Sequence, residues 1–512
     1  MKVSQWVRSF REEAGGDAII GMEGETGVEV QEIVSDSKKV SPGALFIALK
    51  GSKLDGRQYI SEAIERGAGA VVLEGAIPRV DFKKGRPVAA IGVADSRRAL
   101  SHLASYFFGN PTAGMRLIGV TGTNGKTTTA FLIHALLKHA GLKAGLLGTI
   151  QYDLGGRIME ATHTTPGAID LQRYFSEMRS AGATHAVMEV SSHALDQGRV
   201  DGCRFDAAVF TNLTQDHLDY HGTLEAYFAS KRKLFDQTGG QRLINIDDPW
   251  GRKLQEEAPD RTWRYGIERK GDVFPERIAS GFNGIRMTAQ TPIGELEVTS
   301  SLVGRYNVYN LLAAVGVGVS LGLSKSAIST GIASMKGVPG RFEKIDLGQD
   351  FTVMIDYAHT EDALERLLQA VCDLSPRRVI TVFGCGGDRD RGKRPKMGAV
   401  SARLSHKTIL TSDNPRSEPP LSIILEVEAG LREPERSEGP AAVPSRGASS
   451  PDYEVIPNRQ EAIVRAIGLA EAGDVVVIAG KGHENYQIIG KERLPFDDRQ
   501  IARTALAART GR

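Results

Sequence analysis

The stretch Gly122-Thr-Asn-Gly-Lys-Thr-Thr128 follows directly on the apolar run Met115-Arg-Leu-Ile-Gly-Val120, and together they constrain the fold more than any other part of the chain. A buried strand, a glycine-rich turn and a helix form the unit that holds nucleotide phosphates in α/β proteins. The glycines let backbone N–H groups approach the oxygens, Lys126 bridges phosphates, and the Thr127 hydroxyl reaches Mg²⁺. The following helix is predicted from Thr127 to about Ala140, with Gly141 as its stop. This loop implies ATP or a similar nucleotide and leaves the reaction open.

With 512 residues the chain exceeds one ordinary domain, and its length predicts about three. At 41% hydrophobic and 25% charged, the composition is that of a globular protein, and a net charge of +2 provides no basic field for nucleic acid. Cys203, Cys372 and Cys385 have no metal-ligand spacing, and their sparse, odd count suits a reducing compartment. Neither a signal-peptide core near Met1 nor a bilayer-length apolar run is present, so a cytoplasmic location without membrane insertion is expected.

Breakers at Phe108-Gly-Asn-Pro111 and Gly337-Val-Pro-Gly-Arg341 suggest domains over 1–111, 112–336 and 337–512. Short apolar runs alternate with helical patterns throughout, which predicts an α/β fold with a mainly parallel sheet in the third part. The Pro-, Ser- and Glu-rich stretch 432–451 reads as a surface loop. Polar motifs then gather at the ends of the apolar runs: Glu189-Val-Ser-Ser-His193, Asp216-His217, Asp356-Tyr-Ala-His359, Gly384-Cys-Gly-Gly-Asp-Arg389, Asp413-Asn-Pro-Arg416 and Gly480-Lys-Gly-His-Glu484. Ligands bind at that edge of open α/β sheets, although Gly, Asp and Asn also end strands for turn chemistry alone.

Glu189 and His217 are candidate metal ligands beside Thr127; the alternative for His217 is a hydrogen-bonding role. Lys231 lies in the apolar stripe formed by Leu224, Tyr227, Phe228, Leu234 and Phe235 on a predicted helix. It is either a snorkelling lysine at the edge of that stripe or an inward amine, which burial would neutralise and open to reaction with carbon dioxide. Asp413-Asn-Pro-Arg416 is either a tight turn or a recognition turn, whose guanidinium would pair with a carboxylate in a two-bond fork.

Taken in order, Ser35-Asp-Ser37, the phosphate loop, Thr164-Thr-Pro166, Met188-Glu-Val-Ser-Ser-His193, Asp216-His-Leu-Asp-Tyr-His221, Gly304-Arg-Tyr-Asn-Val-Tyr-Asn310, Val338-Pro-Gly-Arg-Phe-Glu343, Asp356-Tyr-Ala-His359, Asp413-Asn-Pro-Arg416 and Lys481-Gly-His-Glu484 resemble the Mur ligase family over essentially the whole chain. The resemblance implies three α/β domains: a UDP-binding N-terminal domain, a central P-loop ATPase domain and a Rossmann-like, amino-acid-binding C-terminal domain. It implies ADP-forming amide synthesis in peptidoglycan precursor assembly, with ATP, a UDP-N-acetylmuramoyl dipeptide and meso-diaminopimelate as substrates, Mg²⁺ as cofactor, and a monomer.

By the same resemblance, Gly122, Thr123, Asn124, Gly125, Lys126, Thr127, Thr128, Asn307, Asp356, Tyr357 and His359 contact ATP, with Lys126 and Arg341 on the γ-phosphate. Thr127, Glu189, His217 and Lys231 as N6-carboxylysine hold Mg²⁺. Ser35, Ser37, Ser52, Lys53 and Leu54 line the uridine site, and Thr164, Thr165, Ser191, Gln197 and Arg199 hold the peptide end of the acceptor. Arg389, Asp413, Asn414, Pro415, Arg416, Gly480 and Glu484 form the diaminopimelate pocket. Two departures stand out: the 432–451 loop is long for the family, and Glu361 occupies a position where proline is expected. A folylpolyglutamate synthetase would share the ATPase core but lack the N-terminal domain. A phosphate-loop switch or motor would leave Asp413-Asn-Pro-Arg416 unexplained. Phosphate release that requires both dipeptide and amino acid separates these readings.

Overall fold

A computed structural model describes residues 1–51, 54–78, 88–257, 259–432 and 452–510. Three sheets, each with strands from its own part of the chain, carry the architecture. The first orders its strands Ile19–Glu23, Ala89–Val93, Ala70–Glu74, Leu45–Ala48 and Ile33–Val34, all parallel except the first. The helices Val3–Ala14 and Ser96–Phe107 cover one face through Trp6, Phe10, Leu103 and Ala104. The indole of Trp6 donates to His102 Nδ1 at 3.1 Å, so the polar end of a fully buried ring is satisfied.

The central sheet has eight strands in the order Thr262–Tyr265, Thr238–Asn245, Phe205–Phe210, Arg116–Thr121, His185–Glu189, Ala144–Leu147, Gln151–Asp153 and Ile158–Glu160. Only the last two run antiparallel to their neighbours. Between the exposed Arg116 and the buried Thr121, the strand Arg116–Thr121 is apolar on both faces because helices cover both. Lys126–His139, Arg305–Ser320 and Lys325–Ser334 pack on one face, and Ala168–Ser180 and Leu224–Asp236 on the other. Its parallel neighbours end at Glu189 and Phe210, so the residues just beyond those ends flank the glycine-rich turn.

The third sheet orders Glu343–Ile345, Thr352–Asp356, Val475–Ala479, Val379–Phe383, Lys407–Leu410 and Tyr453–Val455, parallel except for the first strand. Apolar clusters lie on both of its faces. Two features have no counterpart in the sequence reading. A three-stranded antiparallel sheet, Phe274–Gly281, Gly284–Gln290 and Leu296–Ser300, turns Ile285, Met287 and Val298 into the central core. A hairpin, Tyr486–Ile489 and Glu492–Pro495, follows the last strand. Beyond Arg432, which ends the helix Pro420–Arg432, the predicted loop lies outside the described residues.

Candidate active site

Gly122 and Gly125 have φ +146° and +86°. A Cβ on Gly122 would stand 1.9 Å from Thr211 Oγ1, and one on Gly125 2.5 Å from Asn310 Oδ1, so neither position tolerates a side chain. The turn is held from beside it: Thr123 N donates to Asn212 O at 2.8 Å and Asn124 N to Asn212 Oδ1 at 2.9 Å. The helix begins at Lys126, one residue before the prediction, and ends at His139; Thr128 lies buried in its first turn. Lys126 curls over the loop, its Nζ donating to the carbonyls of Gly122 and Thr123 at 3.0 and 2.8 Å. Burial lowers its pKa, while Glu189 and Asp216 oppose the shift.

Thr127 donates to Glu189 Oε2 at 2.8 Å. Glu189 is fully buried and also accepts from Thr149 N and Oγ1, at 2.7 and 3.1 Å. Thr149 Oγ1 lies 3.1 Å from Thr164 Oγ1, and Thr165 donates to Glu189 O at 2.9 Å. Ser191 N donates to Thr165 Oγ1, and Arg199 spans Thr165 O and the side-chain oxygen of Gln197. The five residues assigned to the acceptor's peptide end therefore lie in one hydrogen-bonded array beginning at the buried carboxylate.

Lys231 sits on the helix Leu224–Asp236 and is only 1% exposed. Its Nζ donates to Gly122 O at 2.8 Å and lies 4.3 Å from the Tyr227 ring centre, so the amine points inward and does not snorkel. Burial, reinforced by Lys126, holds its pKa well below the ordinary lysine range, with Asp216 opposing. His217 is at φ +55° on the rim, its ring 4.8 Å from that of His193 and half exposed. Burial depresses its pKa against Asp216. Among the described residues, no three His, Cys, Asp or Glu side chains gather as a metal site. Thr127 and Glu189 nevertheless present the hard oxygens that suit Mg²⁺, an ion that keeps several waters.

Across the loop, the Arg341 guanidinium stacks 4.8 Å from the Tyr357 ring centre, with Nε buried and unpartnered. Asp356 accepts from Phe342 N and Ala358 N at 2.7 and 2.8 Å, so both its oxygens brace the turn. His359 Nδ1 is 2.9 Å from Tyr357 O. Asn307 is likewise engaged, donating to Val303 O and accepting from Asn310.

A cavity of about 600 Å³ opens between the first sheet and the central unit, lined by Ser35, Lys39, Arg97, Arg173, Gln197 and Arg199. Ser37 is buried and donates to Glu62 Oε2 at 3.0 Å, apart from this lining. Leu54 is exposed, and Ser52 and Lys53 lie outside the described residues. Lys39, Arg97 and Arg173 escaped the sequence reading because they lie on separate elements far apart in the chain, with no local pattern that brings them together.

The third sheet places Asp413-Asn-Pro-Arg416 beside Gly480 and Glu484. Arg416 adopts φ +52°, and its Nη1 donates to Gly387 O at 2.7 Å. Pro415 is buried, and Arg389 is exposed, donating to Asp388 O. A Cβ on Gly480 would meet Asp413 Oδ2 at 2.6 Å. Lys481, fully buried, lies 3.3 Å from Asp413 Oδ1 and donates to Asn414 Oδ1 at 2.8 Å. Asn414 Nδ2 donates to Glu484 Oε2 at 3.0 Å. Asp413 and Asn414, both expected in the diaminopimelate pocket, are engaged here by an internal ammonium, that of Lys481. Glu484 is the freer carboxylate, its pKa raised by burial and by Asp413. The strand ends meet directly, since Gly480 N donates to Asp356 O at 3.1 Å.

Three family models match the chain: the Mur ligase family catalytic domain over residues 29–108, the Mur ligase middle domain over 120–318, and the glutamate ligase domain over 340–482. The chain is 47% identical over 485 residues to UDP-N-acetylmuramoyl-L-alanyl-D-glutamate–2,6-diaminopimelate ligase of Solibacter usitatus, covering 93% of this chain and 94% of that one. A solved structure of a ligase with the same name is 33% identical with TM-score 0.69, covering 98% of this chain and 99% of the other. Folylpolyglutamate synthase of Mycobacterium tuberculosis shares the fold at 18% identity and TM-score 0.58, over 81% of this chain and 95% of its own.

Proposed function

The chain belongs to the Mur ligase family, and on that premise we propose that it joins meso-2,6-diaminopimelate to UDP-N-acetylmuramoyl-L-alanyl-D-glutamate with conversion of ATP to ADP and phosphate, in cytoplasmic peptidoglycan precursor synthesis. The observation that carries this reading is the direct tie between the Asp356 strand end, beside Arg341 and Tyr357, and the Gly480 strand end, beside Asp413 and Arg416. A nucleotide site and an amino-acid site at one seam suit a ligase that activates one substrate and delivers another.

A carboxylate oxygen of the acceptor's D-glutamate attacks the γ-phosphorus of ATP, ADP departs, and an acyl phosphate forms. The amine nitrogen of diaminopimelate then attacks the acyl carbon. The new C–N bond forms, the amine loses a proton, and the C–O bond to phosphate breaks. Lys126 and Arg341 supply positive charge to the transferring phosphoryl group, and positioning accounts for most of the rate. The Thr165, Ser191 and Arg199 array holds the acceptor's carboxylate end. Lys231 enters as a neutral amine: its nitrogen bonds to the carbon of carbon dioxide, a proton leaves, and an anionic carbamate results. Thr127, Glu189, His217 and that carbamate would hold Mg²⁺, which supplies charge neutralisation at the phosphate oxygens.

The Arg416 guanidinium is matched to the distal carboxylate of diaminopimelate, a group lysine lacks, and Glu484 to the distal ammonium. A half-buried guanidinium left without its carboxylate partner, and set against a lysine ammonium, disfavours lysine. The test is a panel of amino acids supplied with ATP and the UDP-linked dipeptide, with products resolved by mass. Diaminopimelate should dominate, and Arg416→Ala should lose amide synthesis far more than ATP affinity. Ligation of L-lysine at a comparable rate by the wild type overturns the substrate assignment.

A further inference from the structure

The hairpin Tyr486–Pro495 is built into the amino-acid turn. Ile488 N donates to Asn414 Oδ1 at 3.0 Å and Gln487 Nε2 to Asp413 O at 2.5 Å. Arg416 N donates to Ile488 O and Gly490 N to Arg416 O, at 3.1 and 2.8 Å. Any displacement of the hairpin therefore displaces Arg416. From the far strand of this hairpin, Arg493 lies with its guanidinium 3.6 Å from the Tyr486 ring centre and its Nη2 3.0 Å from Glu160 Oε1.

Glu160 belongs to the central unit, at the end of the edge strand Ile158–Glu160. That strand pairs with Gln151–Asp153, and the Tyr152 hydroxyl donates to His163 O at 2.5 Å and accepts from His163 N at 3.0 Å. His163 immediately precedes Thr164 and Thr165 of the acceptor array. One ion pair thus links a ribbon registered to the acceptor's carboxylate end with a hairpin registered to the amino-acid turn, across more than 300 residues of sequence.

We propose that Arg493, held by Tyr486 and paired with Glu160, is a positioning residue that sets the amine-bearing substrate against the activated acceptor. The proposal rests on the amide-forming reading above. It accounts for an arginine whose side-chain hydrogen bond to Glu160 leaves its own domain, and for the stacking that restricts its side chain before the pair forms. It predicts an effect on amine attack and none on acyl-phosphate formation, because the phosphate loop's side-to-side hydrogen bonds run to Asn212, Thr214 and Asp362 and not to the hairpin or the ribbon strands.

The experiment compares Arg493→Glu, Glu160→Arg and the double reversal. Both side chains are more than half exposed, so the variants should fold, which melting curves will verify. Three quantities are read: kcat/KM for diaminopimelate, KM for ATP, and acyl phosphate trapped as hydroxamate when hydroxylamine replaces the amino acid. Each single reversal should lower kcat/KM for diaminopimelate about fivefold, the scale of an exposed pair turned repulsive, and leave the other two unchanged. The double reversal should restore the rate, and raised salt should diminish the difference. Unaffected single variants, a parallel fall in hydroxamate, or a double variant no better than the singles overturns the proposal. A wild type that makes no product with diaminopimelate overturns the parent reading as well; an active wild type with insensitive variants overturns this inference alone.

Discussion

Lys231 shows how far one residue can be read ahead of its structure. Its place in an apolar stripe offered two outcomes, and the contact with Gly122 O decides for the inward one. Burial that lowers the amine's pKa favours the neutral form, which is the form that takes up carbon dioxide. Lys231→Ala should abolish ligation and leave the secondary structure intact, and a short carboxylic acid should restore part of the rate by replacing the carbamate. Near-normal turnover of the Ala variant in a phosphate-release assay would remove the carbamate from the mechanism. The partners of Ser37, Asn307 and Asn414 were not legible in the same way, because Glu62, Val303 and Lys481 meet them only after folding. His483 adds a pH effect. Its Nδ1 is buried without a partner, and burial with Arg341 and Arg499 lowers its pKa from 6.5 to about 4. The unfolded chain therefore takes up a proton at higher pH than the folded one. The stability at stake is fully present above pH 6.5 and is lost progressively as pH falls to about 4. His483→Gln should flatten the acid limb of a stability-versus-pH curve across that window; an unchanged slope would assign the acid sensitivity to other groups.

At the scale of elements, the most legible pieces were those whose burial is complete. Residues 117–120, residues 186–188 and Val475–Ala479 are continuous apolar runs because helices cover both faces, and such runs stand out in a sequence. Phe274–Gly281 is largely exposed and carries no alternating signal, so the small antiparallel sheet was missed although its inner strand is buried. The hairpin after Ala479 was missed for the same reason, since Glu492–Pro495 is exposed throughout. The phosphate loop is the opposite case: its glycines are demanded by backbone geometry. Gly125→Ala should raise KM for ATP at least about tenfold and destabilise the protein by about 1–3 kcal/mol, from the left-handed conformation and the clash with Asn310. Nucleotide titration and thermal melting check both, and a variant with wild-type ATP affinity would show that the loop can adapt.

For the whole molecule, breakers and alternating runs were enough to suggest three units, while the contacts between units were invisible. Asp362 illustrates this, since its Oδ2 accepts from Asn124 Nδ2 and Thr214 Oγ1 at 2.9 and 3.2 Å and so brings the third sheet's unit to the phosphate loop. No local pattern announces a bond between residues 238 positions apart. Each sheet, however, has its own apolar core, and few side chains cross from one to the next. Heat should therefore take the molecule apart in stages, and a single melting temperature would be an average over units and not a property of any one. Scanning calorimetry should resolve more than one transition. A nonhydrolysable ATP analogue should raise and draw together the two belonging to the central and third units, and the UDP-linked dipeptide those of the first and central units, because a ligand stabilises only the states that bind it. One sharp transition, moved equally by either ligand, would mean that the seams between the cores are as strong as the cores themselves.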